Sequence, residues 1–185
     1  MTATLEREVK LRFDDPDSAR AVILGAGATP IRGRRLQEDC LLDTPDDELR
    51  RRRCVLRVRV ESGKSLLTFK GPVQPSLMKL REELETIVGD GSLVVRILEE
   101  LGFRVWFRYQ KYREEYALGD VLIAVDETPV GTFVEIEGDD RGIAETAEVL
   151  GRGPADYLVD SYRRLYMVDC EARGIAVADM LFEDD

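Results

Sequence analysis

TLEREVKLRF, residues 4–13, is the stretch that decides the fold. Leu5, Val9 and Leu11 fall on one parity and Glu6, Glu8 and Lys10 on the other, with Arg7 the exception. Strand residues two apart point the same way, so this reads as a β-strand with one apolar and one charged face. The pattern then repeats. Leu56, Val58 and Val60 oppose Arg57 and Arg59; Leu67 and Phe69 oppose Thr68 and Lys70. Leu80 and Leu84 oppose Arg81, Glu83 and Glu85; Tyr112 and Tyr116 oppose Lys111, Arg113 and Glu115; Val134 and Ile136 oppose Glu135 and Glu137. Strands are expected over 5–13, 39–43, 55–61, 66–70, 80–88, 105–118, 121–126 and 131–137.

A solvated outer face explains any one such strand. It explains the series poorly, because doublets such as Glu-x-Glu and Arg-x-Arg place like charges side by side, where they repel. A closed barrel resolves this: the charged faces turn into a shared lumen and neutralise one another, while the apolar faces pack outward under helices. Four helices are expected. The first starts at Pro16 after an Asp15 cap, and the others span 92–101, 141–150 and 156–172. The expected class is α+β, a closed antiparallel β-barrel of about eight strands with a charged lumen and helices on the outside. Residues 1–170 form one domain, and 171–185 read as a loose acidic tail.

Composition narrows the chemistry. The chain has 185 residues, a net charge of −10 and no histidine, which removes imidazole bases, histidine metal ligands and histidine-based triads. The acidic balance argues against nucleic-acid partners. No run reaches the ~20 apolar residues of a membrane helix and no signal sequence precedes the first strand, so a cytoplasmic location is expected. Cys40, Cys54 and Cys170 are odd in number and widely spaced, as reduced packing residues would be. The charged parities supply eight acids (Asp126 included) against seven bases, a net of −1 that two divalent cations would turn to +3. That suits a polyanion such as a triphosphate–metal complex, and carboxylates without His or Cys select hard ions, Mg²⁺ or Mn²⁺.

Glu6-x-Glu8-x-Lys10 resembles the opening motif of the CYTH superfamily, named for CyaB-type adenylyl cyclases and thiamine triphosphatase and also called triphosphate tunnel metalloenzymes. Similar segments follow in family order: QEDCLLDTPDDEL (37–49), LRVR (56–59), LTFKGP (67–72), REELE (81–85), K-x-R (111–113), VDETPVGTFVEIEG (125–138) and SYRRLY (161–166). They lie nearest the CyaB-type branch. The resemblance implies that Glu6, Glu8, Asp126, Glu135 and Glu137 bind the divalent ions. It implies that Lys10, Arg57, Arg59, Lys70, Lys111 and Arg113 grip phosphate oxygens, with Arg81, Glu83 and Glu85 on a less uniform strand. Glu115 reads as a wall or rim residue, Ser161-Tyr162 as a helix start packing on the barrel mouth, and Arg50–Arg53 as a hairpin loop or an anion-steering run.

Phosphoryl chemistry needs positioning and charge neutralisation more than a strong base. Glu6, Glu8 and Lys10 are the candidate catalytic groups, with a metal or Lys10 aiding deprotonation. Hydrolysis of inorganic triphosphate or thiamine triphosphate is favoured, because the lead-in Ala3-Thr4-Leu5 lacks the aromatic or histidine of many such cyclases and the charged faces carry no clear purine-stacking residue. The alternatives are a class IV-type cyclase making cyclic AMP from ATP, a non-catalytic polyphosphate or nucleotide binder, and a purely structural barrel. A homodimer is left open.

Overall fold

A computed structural model describes residues 4–183. Ala3 of the lead-in and the final acids Asp184 and Asp185 lie outside the described residues. Eight strands, β1 (Thr4–Phe13), β2 (Thr29–Asp43), β3 (Val55–Glu61), β4 (Lys64–Lys70), β5 (Lys79–Val88), β6 (Arg104–Leu118), β7 (Val121–Thr128) and β8 (Gly131–Glu137), close into one barrel. The order around it is β1-β5-β4-β3-β2-β6-β7-β8, and every neighbouring pair is antiparallel. The expected α+β barrel with its inverted polarity is therefore the fold.

The helices α1 (Pro16–Gly25), α2 (Glu48–Arg51), α3 (Gly91–Glu100), α4 (Asp140–Val149) and α5 (Tyr162–Arg173) begin where capping chemistry permits. Asp15, Asp90, Asp139 and Ser161 each accept a hydrogen bond from a backbone N–H of the first turn of α1, α3, α4 and α5. Four helices were expected; α2 is the addition, a single turn in the β2–β3 connection. The last helix starts at Tyr162 rather than 156, because Pro154–Asp156 forms a separate 3₁₀ turn and the chain then runs extended to Ser161.

The apolar core lies outside the barrel. Ala19 and Ile23 of α1, with Ile143 and Ala147 of α4, pack on Val9, Leu11, Ile123, Val134 and Ile136, all fully or almost fully buried. Burying such side chains contributes roughly 1.5–3 kcal/mol each. Inside, one end of the barrel is filled by aromatic side chains. Phe107, Tyr109 and Phe133 surround Tyr162 from α5, whose ring meets that of Phe133 edge-on at 5.5 Å.

The approach to α5 is fixed by a gap in the sheet. The β1–β5 ladder reaches Glu8↔Lys79, and the next β1 backbone groups, those of Lys10, exchange two hydrogen bonds with Leu158 (3.0 and 2.9 Å). This bridge holds the segment before Ser161 against the barrel end and sets Tyr162 over the lumen.

The loose tail is not observed for the described part of 171–183. Helix α5 continues to Arg173, and Met180, 1% exposed, forms a parallel bridge with Tyr109 of β6. The Gln110 N–H donates to the Met180 carbonyl (2.9 Å), the Met180 N–H to the Arg108 carbonyl (2.9 Å), and Phe182 packs on Tyr112 (5.1 Å between ring centroids). An apolar Met and Phe facing an unpaired stretch of strand outweigh the acidic character of the neighbouring residues. Met180→Ala is expected to cost about 2–3 kcal/mol in urea unfolding and to open the segment after Arg173 to limited proteolysis; a loss below about 0.5 kcal/mol would show that the docking is incidental.

Candidate functional site

The inward parities of all eight strands converge on one cavity of about 380 Å³. It runs from Lys10 and Tyr162 at the closed end to Leu122, Glu115 and Glu137 at the mouth. Ten cationic side chains line it against eight carboxylates, and the buried carboxylates of Asp39 and Asp126 beneath them bring the two signs close to balance. Of the expected site residues, Glu6, Glu8, Lys10, Arg57, Arg59, Lys70, Arg81, Lys111, Arg113, Glu135 and Glu137 all face it, as do Glu83, Glu85 and Glu115.

Each buried charge has an answering one. Lys10, only 1% exposed, lies 2.9 Å from Glu8 and 3.1 Å from Glu135. Lys79 also donates to Glu8. Lys70 bridges Glu6 and Glu83 at 2.7 Å each, while Arg81 stands 3.5 Å from Glu6. Arg59 donates to both carboxylate oxygens of Asp39 (2.9 and 3.2 Å), and Arg57 reaches Asp39 and Glu85 at 3.4 Å. Arg113 is held by Asp126 and Glu135. Towards the mouth, Arg35 lies between Glu61 (3.2 Å) and Glu115 (2.8 Å).

The titration directions follow from this mesh. Burial works against the Lys10 ammonium, but Glu135 and Glu8 together outweigh it and hold the group above its usual range. Clamped between two carboxylates, its ammonium is held in the charged form. Burial, with Arg113 alongside, pushes Lys111 down to about 8, and burial pushes Lys79 to about 8 as well. Glu8 and Glu135 stay well below the usual carboxylate range despite burial, because Lys10 and its neighbours draw them down. Glu137 goes the other way, up to about 7, through burial and the adjoining charges of Glu6, Glu8 and Glu135.

That contrast bears on metal binding. Glu6, Glu8, Glu135 and Glu137 crowd one another, and two of them, Glu6 and Glu137, are pushed upward by burial and by the neighbouring carboxylates. All are hard oxygen donors, which fits a hard divalent cation. Among the described residues no three Asp, Glu or Cys side chains already converge as a ligand cage.

Asp126 does not itself line the cavity. It is fully buried beneath Lys111, Arg113 and Tyr162, and accepts from Lys111 (2.7 Å), from Arg113 (2.6 and 2.5 Å) and from the Tyr162 hydroxyl (2.5 Å). These three donors occupy its oxygens, and it positions the Lys111 and Arg113 cations that face the lumen. Arg32, Arg35, Glu61 and Lys79 also line the lumen without having been singled out. Lys79 shares the parity of Arg81 and could have been found; the others sit where no strand was expected or at a strand's last residue.

The CYTH domain family matches residues 4–153. A candidate adenylate cyclase of Methanocaldococcus jannaschii is 31% identical over 147 residues, which cover 79% of this chain and 83% of that protein. The structure of a Pyrococcus horikoshii protein superposes with a TM-score of 0.73 at 28% identity, covering 86% of this chain and 98% of that one. The Hippeastrum protein HpAC1, described as a candidate adenylyl cyclase with a dominant triphosphatase activity, superposes with a TM-score of 0.64 at 17% identity, covering 93% and 97%. This chain belongs to the CYTH family. Among the described residues no helix is long and apolar enough to cross a membrane.

Glu61 offers a test of the mouth network. Burial opposes its charge, but Gln37, Arg32 and Arg35 bring the carboxyl down to about 2 from an ordinary 4.5. A carboxyl depressed on folding stabilises the protein above its unfolded pKa and loses that contribution as the pH falls towards the folded one. Glu61→Gln is expected to lower stability by about 1–2 kcal/mol at neutral pH, less than full linkage because solvent reaches Arg32. The gap from wild type should narrow as the pH drops below about 4.5 and close only near pH 2; a gap at pH 3 as large as at pH 7 would remove the electrostatic explanation.

Proposed function

We propose that this chain is a divalent-metal-dependent enzyme that grips a triphosphate in the barrel lumen and hydrolyses it, with inorganic triphosphate as the simplest substrate. The observation that carries this reading is the lumen itself: ten cationic and eight acidic side chains facing one cavity, with no histidine in the chain. Arg57, Arg59, Lys70, Lys111 and Arg113 present guanidinium and ammonium groups suited to phosphate oxygens. Their positions are set in advance by Asp39, Glu83 and Asp126, so little reorganisation accompanies binding.

Glu6, Glu8, Glu135 and Glu137 would hold the metal. A bound Mg²⁺ or Mn²⁺ would neutralise phosphate charge and lower the pKa of an attacking water. Lys10 stays protonated beside Glu8 and Glu135 and opposes the charge that develops on the transferring group. Tyr162 and the aromatic side chains around it close one end and keep bulk water from that side.

Cyclic AMP formation from ATP is the second reading, supported by the name of the 31% identical relative. The lumen favours hydrolysis on one physical ground, the absence of a free ring for a purine. Tyr162 lies 5.2 Å from Lys10 and 4.8 Å from Lys111, and Tyr109 stacks on Phe107 at 5.9 Å.

Purified protein with Mg²⁺ or Mn²⁺ is expected to release phosphate from inorganic triphosphate and to stop on addition of EDTA. Cyclic AMP from ATP with inorganic triphosphate left intact would overturn the hydrolase reading. Glu135→Ala combined with Glu137→Ala should lower turnover by about 100-fold or more. A rise in melting temperature with triphosphate shows that the variant still folds and binds. A wild-type protein that binds triphosphate but turns over none of these substrates is a sensor instead.

A further inference from the structure

The segment SYRRLY (161–166) opens α5, and its first tyrosine, Tyr162, reaches the lumen from outside the sheet. It is only 6% exposed and is fixed from both sides. The backbone exchange between Lys10 and Leu158 holds the chain just before it, and the Ser161 hydroxyl caps the helix by accepting from the Arg164 N–H. The ring then rests edge-on against Phe133 and 6.5 Å from the ring of Tyr109.

At the lumen end Tyr162 meets charges of both signs. Its hydroxyl donates to Oδ2 of Asp126, the oxygen that also accepts from Lys111 Nζ and Arg113 Nη2, while Oδ1 accepts from Arg113 Nε. Its ring centre lies 4.8 Å from the Lys111 ammonium and 5.2 Å from that of Lys10. Lys111 is thus confined between a carboxylate and an aromatic ring, each attractive to a cation. Burial, with the Asp126 and Glu135 charges, pushes the Tyr162 hydroxyl well above its usual range, so it stays a donor.

The two cation pairs of the lumen differ in what sets them. Arg57 and Arg59 share Asp39, which lies opposite Arg59 in the β2–β3 ladder. Arg113 likewise lies opposite Asp126 in the β6–β7 ladder, but that ladder begins at Tyr112, one residue short of Lys111. Sheet register therefore does not tie Lys111 to Asp126. A carboxylate shared between two cations can turn towards either, and a third donor of fixed position settles it. We propose that Tyr162 is a positioning residue of the phosphate grip, which through Asp126 and its own ring holds Lys111 and Arg113 in the orientation that meets phosphate oxygens. The proposal rests on the triphosphate reading of the lumen. It makes the grip dependent on α5, since the Lys111 half is complete only when residues 158–162 are docked on the barrel end.

Steady-state rates with tripolyphosphate and Mg²⁺ test it, on wild type and on Tyr162→Phe, which keeps the ring and removes only the hydroxyl. KM is expected to rise about tenfold while kcat changes less than about threefold, the mark of lost binding rather than lost chemistry. In a Lys111→Gln background the same substitution should change KM less than about twofold, and in an Arg57→Gln background it should keep its full effect. A KM within about twofold of wild type, whatever the melting temperature, would reduce Tyr162 to packing, and an equal rise in both backgrounds would place its effect elsewhere; each overturns the proposal. If wild type turns over no tripolyphosphate, the hydrolase reading fails, and the rise in melting temperature that tripolyphosphate induces carries the comparison. A rise in wild type that shrinks in Tyr162→Phe then supports the proposal, and an equal rise in the two, or none in wild type, overturns it.

Discussion

The lumen depends on one constraint, that a charge taken out of water must meet an opposite charge at contact distance. Lys10 between Glu8 and Glu135 is the centre of this arrangement. Leaving one member of such a set without its partner costs several kcal/mol, whereas the complete set is tolerated. Acids and bases therefore alternate around the barrel, and closure is what permits it. Glu8 meets Lys79 across the β1–β5 ladder and Lys10 meets Glu135 across the β1–β8 ladder, so β1 draws on both of its neighbours. The apolar core is consequently displaced outwards, beneath α1 and α4.

Much of this was legible because strand parity is a local property. The alternation in β1, β3, β4, β6 and β8 assigns each charged residue to one face, and eleven of the expected site residues line the cavity. Depth was not legible. Parity says that Asp126 points inward; only the register of β7 against β6, which pairs it with Arg113, and the arrival of Tyr162 show that it is covered by its own donors. The first half of β2 was hidden for a different reason. Pro30, Gly33 and a run of arginines read as loop, and the strand there survives with register shifts at Pro30/Arg32 and Arg32/Arg35. The aromatic filling of the closed end was equally out of reach. It combines rings from β6, β8 and α5 that are distant in sequence and meet only after closure.

The tunnel is polar along its axis as well as across its wall. Carboxylates gather towards the mouth around Glu61, Glu115 and Glu137, and unpaired guanidinium groups gather beyond the aromatic end. Most of these charges are held by their neighbours; Glu137 near 7 and Lys79 and Lys111 near 8 are the lumen groups able to change charge close to neutral pH.

Closure leaves a second gap besides the one that Leu158 fills at Lys10. β6 outruns β7, and its residues 108–110 present backbone groups on the side away from β2. The strand-like segment at Met180 covers them. An uncovered strand edge is a template for pairing with another chain, and barrels otherwise remove such edges entirely. The segment around Met180 thus caps backbone groups that would otherwise be open to pairing.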